Sequence, residues 1–204
     1  MIHALLVAAC SIWLIALLVL ASSISSKYLV AFDLGDPFAR VCLGAAVVGS
    51  GAAITMQSDG MAAAIISTLL SCCALCAVTD SQSGLIFDGI TYPSAALFLS
   101  LHIVTGNGML ALYGIGGIGL GFSALYTATK GRGIGLGDLK FGCCIGAALG
   151  TVDAAIAVGA AFVAGGAYGL WLLLSRRAKL GASVRFAPYL AAGVAVALLH
   201  RYIS

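Results

Sequence analysis

The chain has 204 residues, 62% of them hydrophobic and 8% charged, with a net charge of +3 and a mean hydropathy of +1.13. Soluble domains carry roughly 25% charged residues, so this composition excludes a water-covered globule and predicts an integral membrane protein. No polar stretch is long enough to hold a duplex, so the positive balance is not a nucleic-acid signal.

Apolar runs of about 20 residues predict spanning helices, because a barrel would show alternating strands of about 10 residues. Eight segments are expected in an all-α polytopic fold: 2–22, 40–57, 61–79, 89–105, 109–129, a short 139–151, 153–175 and 186–203. The first has no Lys or Arg before it and lacks the basic start of a cleaved signal peptide, so it reads as a retained span. The connection 23–39 is a short loop. The run 61–79 ends on Asp80, and the run 89–105 follows Asp88. Gly117/Gly121 and Gly165/Gly169 have the four-residue spacing at which helices pack closely. The segment 139–151 covers only about 19 Å at 1.5 Å per residue, short of a hydrocarbon core of about 30 Å. It is therefore expected to lie among other helices.

Seven cysteines (Cys10, Cys42, Cys72, Cys73, Cys76, Cys143 and Cys144) fall in or beside apolar runs. Cys73 and Cys76 have zinc-ligand spacing, but no second pair completes a site, so all seven read as buried thiols. No metal and no cofactor is expected.

An N-terminus outside the cell places Lys27, Arg40, Lys130, Arg132, Lys140, Arg176, Arg177, Lys179 and Arg185 at cytoplasmic ends, and only Arg201 outside. This is the positive-inside pattern. The cluster Arg176, Arg177, Lys179 and Arg185 is assigned to topology and contact with anionic membrane lipids.

All seven acids are aspartates. Asp33, Asp36, Asp59 and Asp153 lie in loops or short turns and read as caps and turn-makers. Asp80 closes one apolar run and Asp138 opens another, both at the cytoplasmic side and at similar depth. Ionisable groups at the bilayer are costly and tend to be partnered and functional. Two carboxylates held together share a proton, so one can deprotonate a water while the other protonates a leaving group.

Asp138 ends the stretch GRGIGLGDLK, residues 131–140. The stretch lacks the Walker spacing, and no strand precedes it, so phosphate binding is set aside. Glycines beside an acid permit close approach of a substrate backbone and positive φ. Two other readings fit paired acids. One is a small proton-coupled transporter with Asp80 and Asp138 as relay, which predicts acids near mid-membrane. The other is a non-catalytic assembly subunit, which predicts tolerance of Asp→Asn.

Gly135-Leu136-Gly137-Asp138, with Lys140 two residues on, resembles the GxGDxK motif of type IV prepilin peptidases, a group of intramembrane aspartyl proteases. The stretch TDSQSGLIFDGITYP (79–93) is similar to their first catalytic segment, with Asp80 at the catalytic position, Asp88 at the turn, and Thr91 and Pro93 at the next helix's start. VRFAPYLAAG (184–193) is similar to their Phe-Gly-Pro segment, with Pro188 matched.

The resemblance implies a single membrane-embedded peptidase domain over 1–204 in a bacterial cytoplasmic membrane, with a periplasmic N-terminus and a cytoplasmic active site. Asp80 and Asp138 become the catalytic pair. Gly135, Gly137, Lys140, Asp88 and Pro188 become loop or substrate-positioning residues. Asp88 reads first as a helix N-cap, and Lys140 as a snorkelling lysine or a partner of Asp88. The implied partners are prepilin or pseudopilin precursors of type IV pilus or secretion systems. Phe87 stands where the family has proline, and Ala187 where it has glycine. The loop 23–39 contains none of the cysteines of the zinc-binding insertion that accompanies N-methylation in many members. Leader cleavage alone is therefore expected.

Overall fold

The computed structural model describes residues 33, 35–57, 59–131, 133–177 and 184–203. Those residues form six helices and no strand: α1 (Pro37–Met56), α2 (Gly60–Ser83), α3 (Asp88–Val104), α4 (Gly108–Ala128), α5 (Leu136–Leu174) and α6 (Ala187–Ile203). Four of them, α1, α2, α4 and α5, are long and apolar enough to cross a membrane. The all-helical reading holds, but the count of eight does not. The expected first span, 2–22, and nearly all of the loop 23–39 lie outside the described residues. The expected segments 139–151 and 153–175 form one run, α5.

That run is interrupted at Gly150, where φ is 79° and ψ is −176°. Only glycine occupies this region without strain. A Cβ there would also lie 2.7 Å from Leu110 Cδ2. The short segment is thus a half-helix stacked on a second one, and nearly every residue from Phe141 to Gly150 is buried among α2, α3 and α4. Gly150→Ala is expected to cost about 1–3 kcal/mol through the strained backbone, seen as a lower thermal midpoint in detergent. An unchanged midpoint would mean that the break is not needed.

The centre of the bundle is α2. Asp59 starts it by accepting a hydrogen bond from the Met61 N–H at 2.9 Å, an N-cap as the sequence predicts. From Ala63 to Asp80 nearly every residue is buried, between α1, α3, α5 and α6. Its buried hydroxyls bond back into the helix, Ser67 to the Ala63 carbonyl and Ser71 to the Ser67 carbonyl, which satisfies them without polar partners elsewhere. The thiols of Cys72, Cys73, Cys76 and Cys144 are buried and those of Cys42 and Cys143 half-buried. Among the described residues no cluster suits a metal.

The closest helix crossings differ from the glycine pairs picked by spacing. Cβ atoms at Gly121 or Gly169 would meet nothing within 4 Å. At Gly114 and Gly146, by contrast, each added Cβ would overlap the carbonyl oxygen of the other, so α4 and α5 touch backbone to backbone. Gly193 of α6 meets the Ala157 carbonyl of α5 in the same way. These two crossings fix α5 between its neighbours and so place its N-terminal end. The half-buried Asp153 lies inside α5, not in a turn, and faces Arg201 of α6 at 3.8 Å.

Candidate active site

The end of α2 and the starts of α3, α5 and α6 meet at one end of the bundle. Asp80 sits within the last turn of α2, which stops at Gly84, a residue at φ 71° whose N–H bonds the Asp80 carbonyl at 2.7 Å. Glycine is the residue that takes this left-handed cap without strain. The Asp80 side chain is buried, 7% exposed. Its Oδ2 accepts a hydrogen bond from the Ala187 N–H at 3.0 Å. Asp80 therefore caps the start of α6, a helix 107 residues away in sequence, where unpaired N–H groups and the positive end of the dipole meet a carboxylate.

Asp138 lies in the first turn of α5 and is half-buried. Its Oδ2 accepts from the Gly135 N–H at 3.1 Å, the reach-back half of a capping box. Gly135 has no side chain to complete the other half. A Cβ on Gly135 would lie 3.2 Å from that same carboxylate oxygen, and one on Gly137 would lie 3.1 Å from Ile86 Cβ. The two motif glycines thus have different uses. Gly135 gives room to the acid, and Gly137 lets α5 close onto the 84–87 loop. The loop that follows Asp80 packs on the residue before Asp138, since a Cβ on Gly137 would touch Ile86, so both acids lie at the same end of the bundle. Two acids from distant parts of the chain are therefore placed at one end of the bundle, and each accepts a backbone N–H at a helix start.

Asp88 does not cap α3, although the sequence reads it so. The N-cap is Phe87, with no side-chain cap bond, and Asp88 is the first helical residue. Its carboxylate instead takes the Lys140 ammonium at 2.7 and 2.9 Å, the alternative raised for Lys140. The same ammonium lies 5.4 Å from the centre of the Tyr92 ring, within cation–π range. This ties α3 to α5 beside the acids. Phe87 stands at φ −81°, close to the angle proline imposes. The backbone angle at this position is thus one that proline could also adopt. Both pair members are partly exposed, so we expect Lys140→Met and Asp88→Asn to lower cleavage by less than about tenfold each, because exposed pairs contribute little. The double variant should be no worse than either single one in steady-state rates. Additive losses would mean separate roles.

Pro188 is the second residue of α6 and half-buried. Its place in the first turn suits a residue without an N–H. The bond to Asp80 comes from the N–H of the neighbouring Ala187.

Arg185 is a site residue that sequence reasoning assigned to lipid. Its Nη1 donates to the Asp80 main-chain carbonyl. A Cβ on Gly84 would lie 2.6 Å from that nitrogen. The signal in the sequence was position: Arg185 lies inside the matched stretch VRFAPYLAAG, immediately before Phe186-Ala187-Pro188. Arg177, from the same basic cluster, stacks on Trp171 at 5.1 Å instead.

No curated protein and no solved structure matches the chain. The profile of the Type IV leader peptidase family matches residues 67–170, a span that holds both aspartates, the Lys140–Asp88 pair and the Gly114–Gly146 crossing. With just over half of its length matched, and with the two acids at one end of the bundle, the chain belongs to the type IV leader peptidase family.

Proposed function

We propose that this peptidase is an aspartyl endopeptidase that uses Asp80 and Asp138 to remove short basic leaders from prepilin or pseudopilin precursors. The observation that carries the reading is the convergence of the two carboxylates from α2 and α5, each with Oδ2 held by a backbone N–H. In this reading the remaining acceptor positions of the two carboxyl groups serve water and substrate. One carboxylate, ionised, takes a proton from a water as it attacks the peptide carbonyl. The other, protonated, hydrogen-bonds that carbonyl and then protonates the departing nitrogen. The pair titrates as a unit.

Basic residues gather at the ends of the chain's apolar segments on this same side, which supports a cytoplasmic site under the positive-inside rule. The leader then stays in the cytoplasm while the substrate's apolar helix lies in the bilayer. A transporter relay would want acids near mid-membrane, whereas both acids here lie in terminal turns of their helices. The single membrane-embedded domain and leader cleavage without methylation form part of the same proposal.

The test is incubation of the detergent-solubilised protein with a precursor carrying a basic leader, a glycine before the cut and an apolar helix after it. Mass spectrometry is expected to show one cut after that glycine, with an unmethylated new N-terminus. No cut, or a cut unaffected by replacing the glycine, would sink the assignment.

A further inference from the structure

One three-residue stretch grips Asp80 from two sides. Arg185 donates to its main-chain carbonyl, and Ala187 donates its N–H to the side-chain Oδ2. Between them, the Phe186 ring packs 5.0 Å from the ring of Phe162 on α5. The carbonyl that Arg185 meets also accepts from Gly84, so it is one of the terminal carbonyls at the negative end of α2. A guanidinium is well suited there, in charge and in donor number. It reaches the carbonyl because position 84 has no side chain: a Cβ would occupy the space of Nη1. Arg185 thus adds a tie to the end of α2 beside the Ala187 N–H bond and the Phe186 ring contact.

We propose that Arg185 is a positioning residue for the peptidase reaction. It anchors the start of α6 to the end of α2, so that the Ala187 N–H holds Oδ2 of Asp80 and turns the other oxygen toward Asp138 and the attacking water. The inference rests on the assignment of Asp80 and Asp138 as the reacting pair. It gives the arginine a role distinct from lipid contact, and it explains why Gly84 is needed for more than its backbone angle. The main-chain bond acts at a distance from the reacting atoms, so its loss should slow chemistry and leave substrate binding nearly intact.

The experiment compares wild type, Arg185→Ala, Arg185→Lys and Arg177→Ala on the basic-leader substrate, with kcat and KM separated. Arg185→Ala is expected to lower kcat by about 10- to 100-fold, the loss typical of a slightly misplaced catalytic group, with KM within about twofold. Lys retains a cationic donor for the same carbonyl, so Arg185→Lys should recover part of kcat. Arg177→Ala should match wild type. Hydrogen exchange at the Ala187 amide gives a readout independent of activity, and protection there should fall in Arg185→Ala and return in Arg185→Lys. Wild-type kcat in Arg185→Ala, a change confined to KM, an equal loss in Arg177→Ala, or unchanged Ala187 protection would each overturn the proposal. If wild type cuts no leader while Ala187 protection still depends on Arg185, the anchoring stands and the substrate assignment fails.

Discussion

Asp138→Asn and Asp80→Asn are each expected to lower leader cleavage by about 10³-fold or more, within the range for loss of a general acid or base. The asparagine variants are informative because the fold offers them the same hydrogen bonds. An amide oxygen at 138 can still accept the Gly135 N–H, and one at 80 can still accept the Ala187 N–H. Asparagine caps helices about as well as aspartate, so both proteins should melt near the wild-type temperature. What an amide cannot do is share or transfer the proton. Asp→Ala at either site removes the cap as well, and should add a stability loss of about 1 kcal/mol. Cleavage and thermal melting measured side by side separate the two effects. A variant with Asn at either position that keeps a tenth of the wild-type rate would rule out the dyad.

The acids themselves were legible in the sequence, because a charge is conspicuous in a chain of this hydropathy. Their places at helix ends were legible too, because each borders an apolar run. Hidden from the sequence was what holds each acid. The Asp138 bond to Gly135 is local and follows from its place three residues into the first turn. The Asp80 bond to Ala187 joins two distant helices, and no periodicity predicts it. The same division explains the errors. Asp59 and Asp36 cap the helices that follow them, as read, with Asp36 accepting from the Phe38 N–H. Asp88 and Asp153 looked like members of the same class, yet each faces a cation on another helix. A cap is decided by the next three residues, whereas an ion pair depends on how helices dock.

Helix count failed for a related reason. Gly150 breaks the backbone angle without interrupting the apolar run, so a hydropathy boundary near residue 152 marks a kink and not a loop. Glycine spacing was half informative: Gly117 and Gly165 sit against close neighbours, whereas Gly121 and Gly169 do not. Many pairs in this chain have the four-residue interval, and the sequence does not say which of them faces a partner. A Cβ on Gly117 would lie 3.2 Å from the Thr151 methyl, but one on Gly121 would face open space, and the contact that sets the α4–α5 distance is one turn away.

That contact carries the largest stability prediction. Gly146→Ala is expected to destabilise the protein by about 3 kcal/mol, the upper range for overpacking, and to reduce cleavage even in the fraction that folds. The obstacle to the new methyl group is the Gly114 carbonyl oxygen with its carbon 2.7 Å away, and backbone atoms cannot rotate aside as a side chain does. The helices must separate, which opens the packing of Ile145, Phe122 and Phe141. Asp138 lies on the same half-helix as Gly146, so the shift passes along a rigid element to the acid. Gly114→Ala should behave alike, since the clash is reciprocal. Gly121→Ala and Gly169→Ala introduce the same methyl where nothing lies within 4 Å. They should be neutral or stabilising by up to about 1 kcal/mol from helix propensity. Thermal unfolding of the four variants in one detergent distinguishes a specific crossing from a general intolerance of alanine in membrane helices. Equal losses in all four would remove the Gly114–Gly146 crossing as the element that places Asp138.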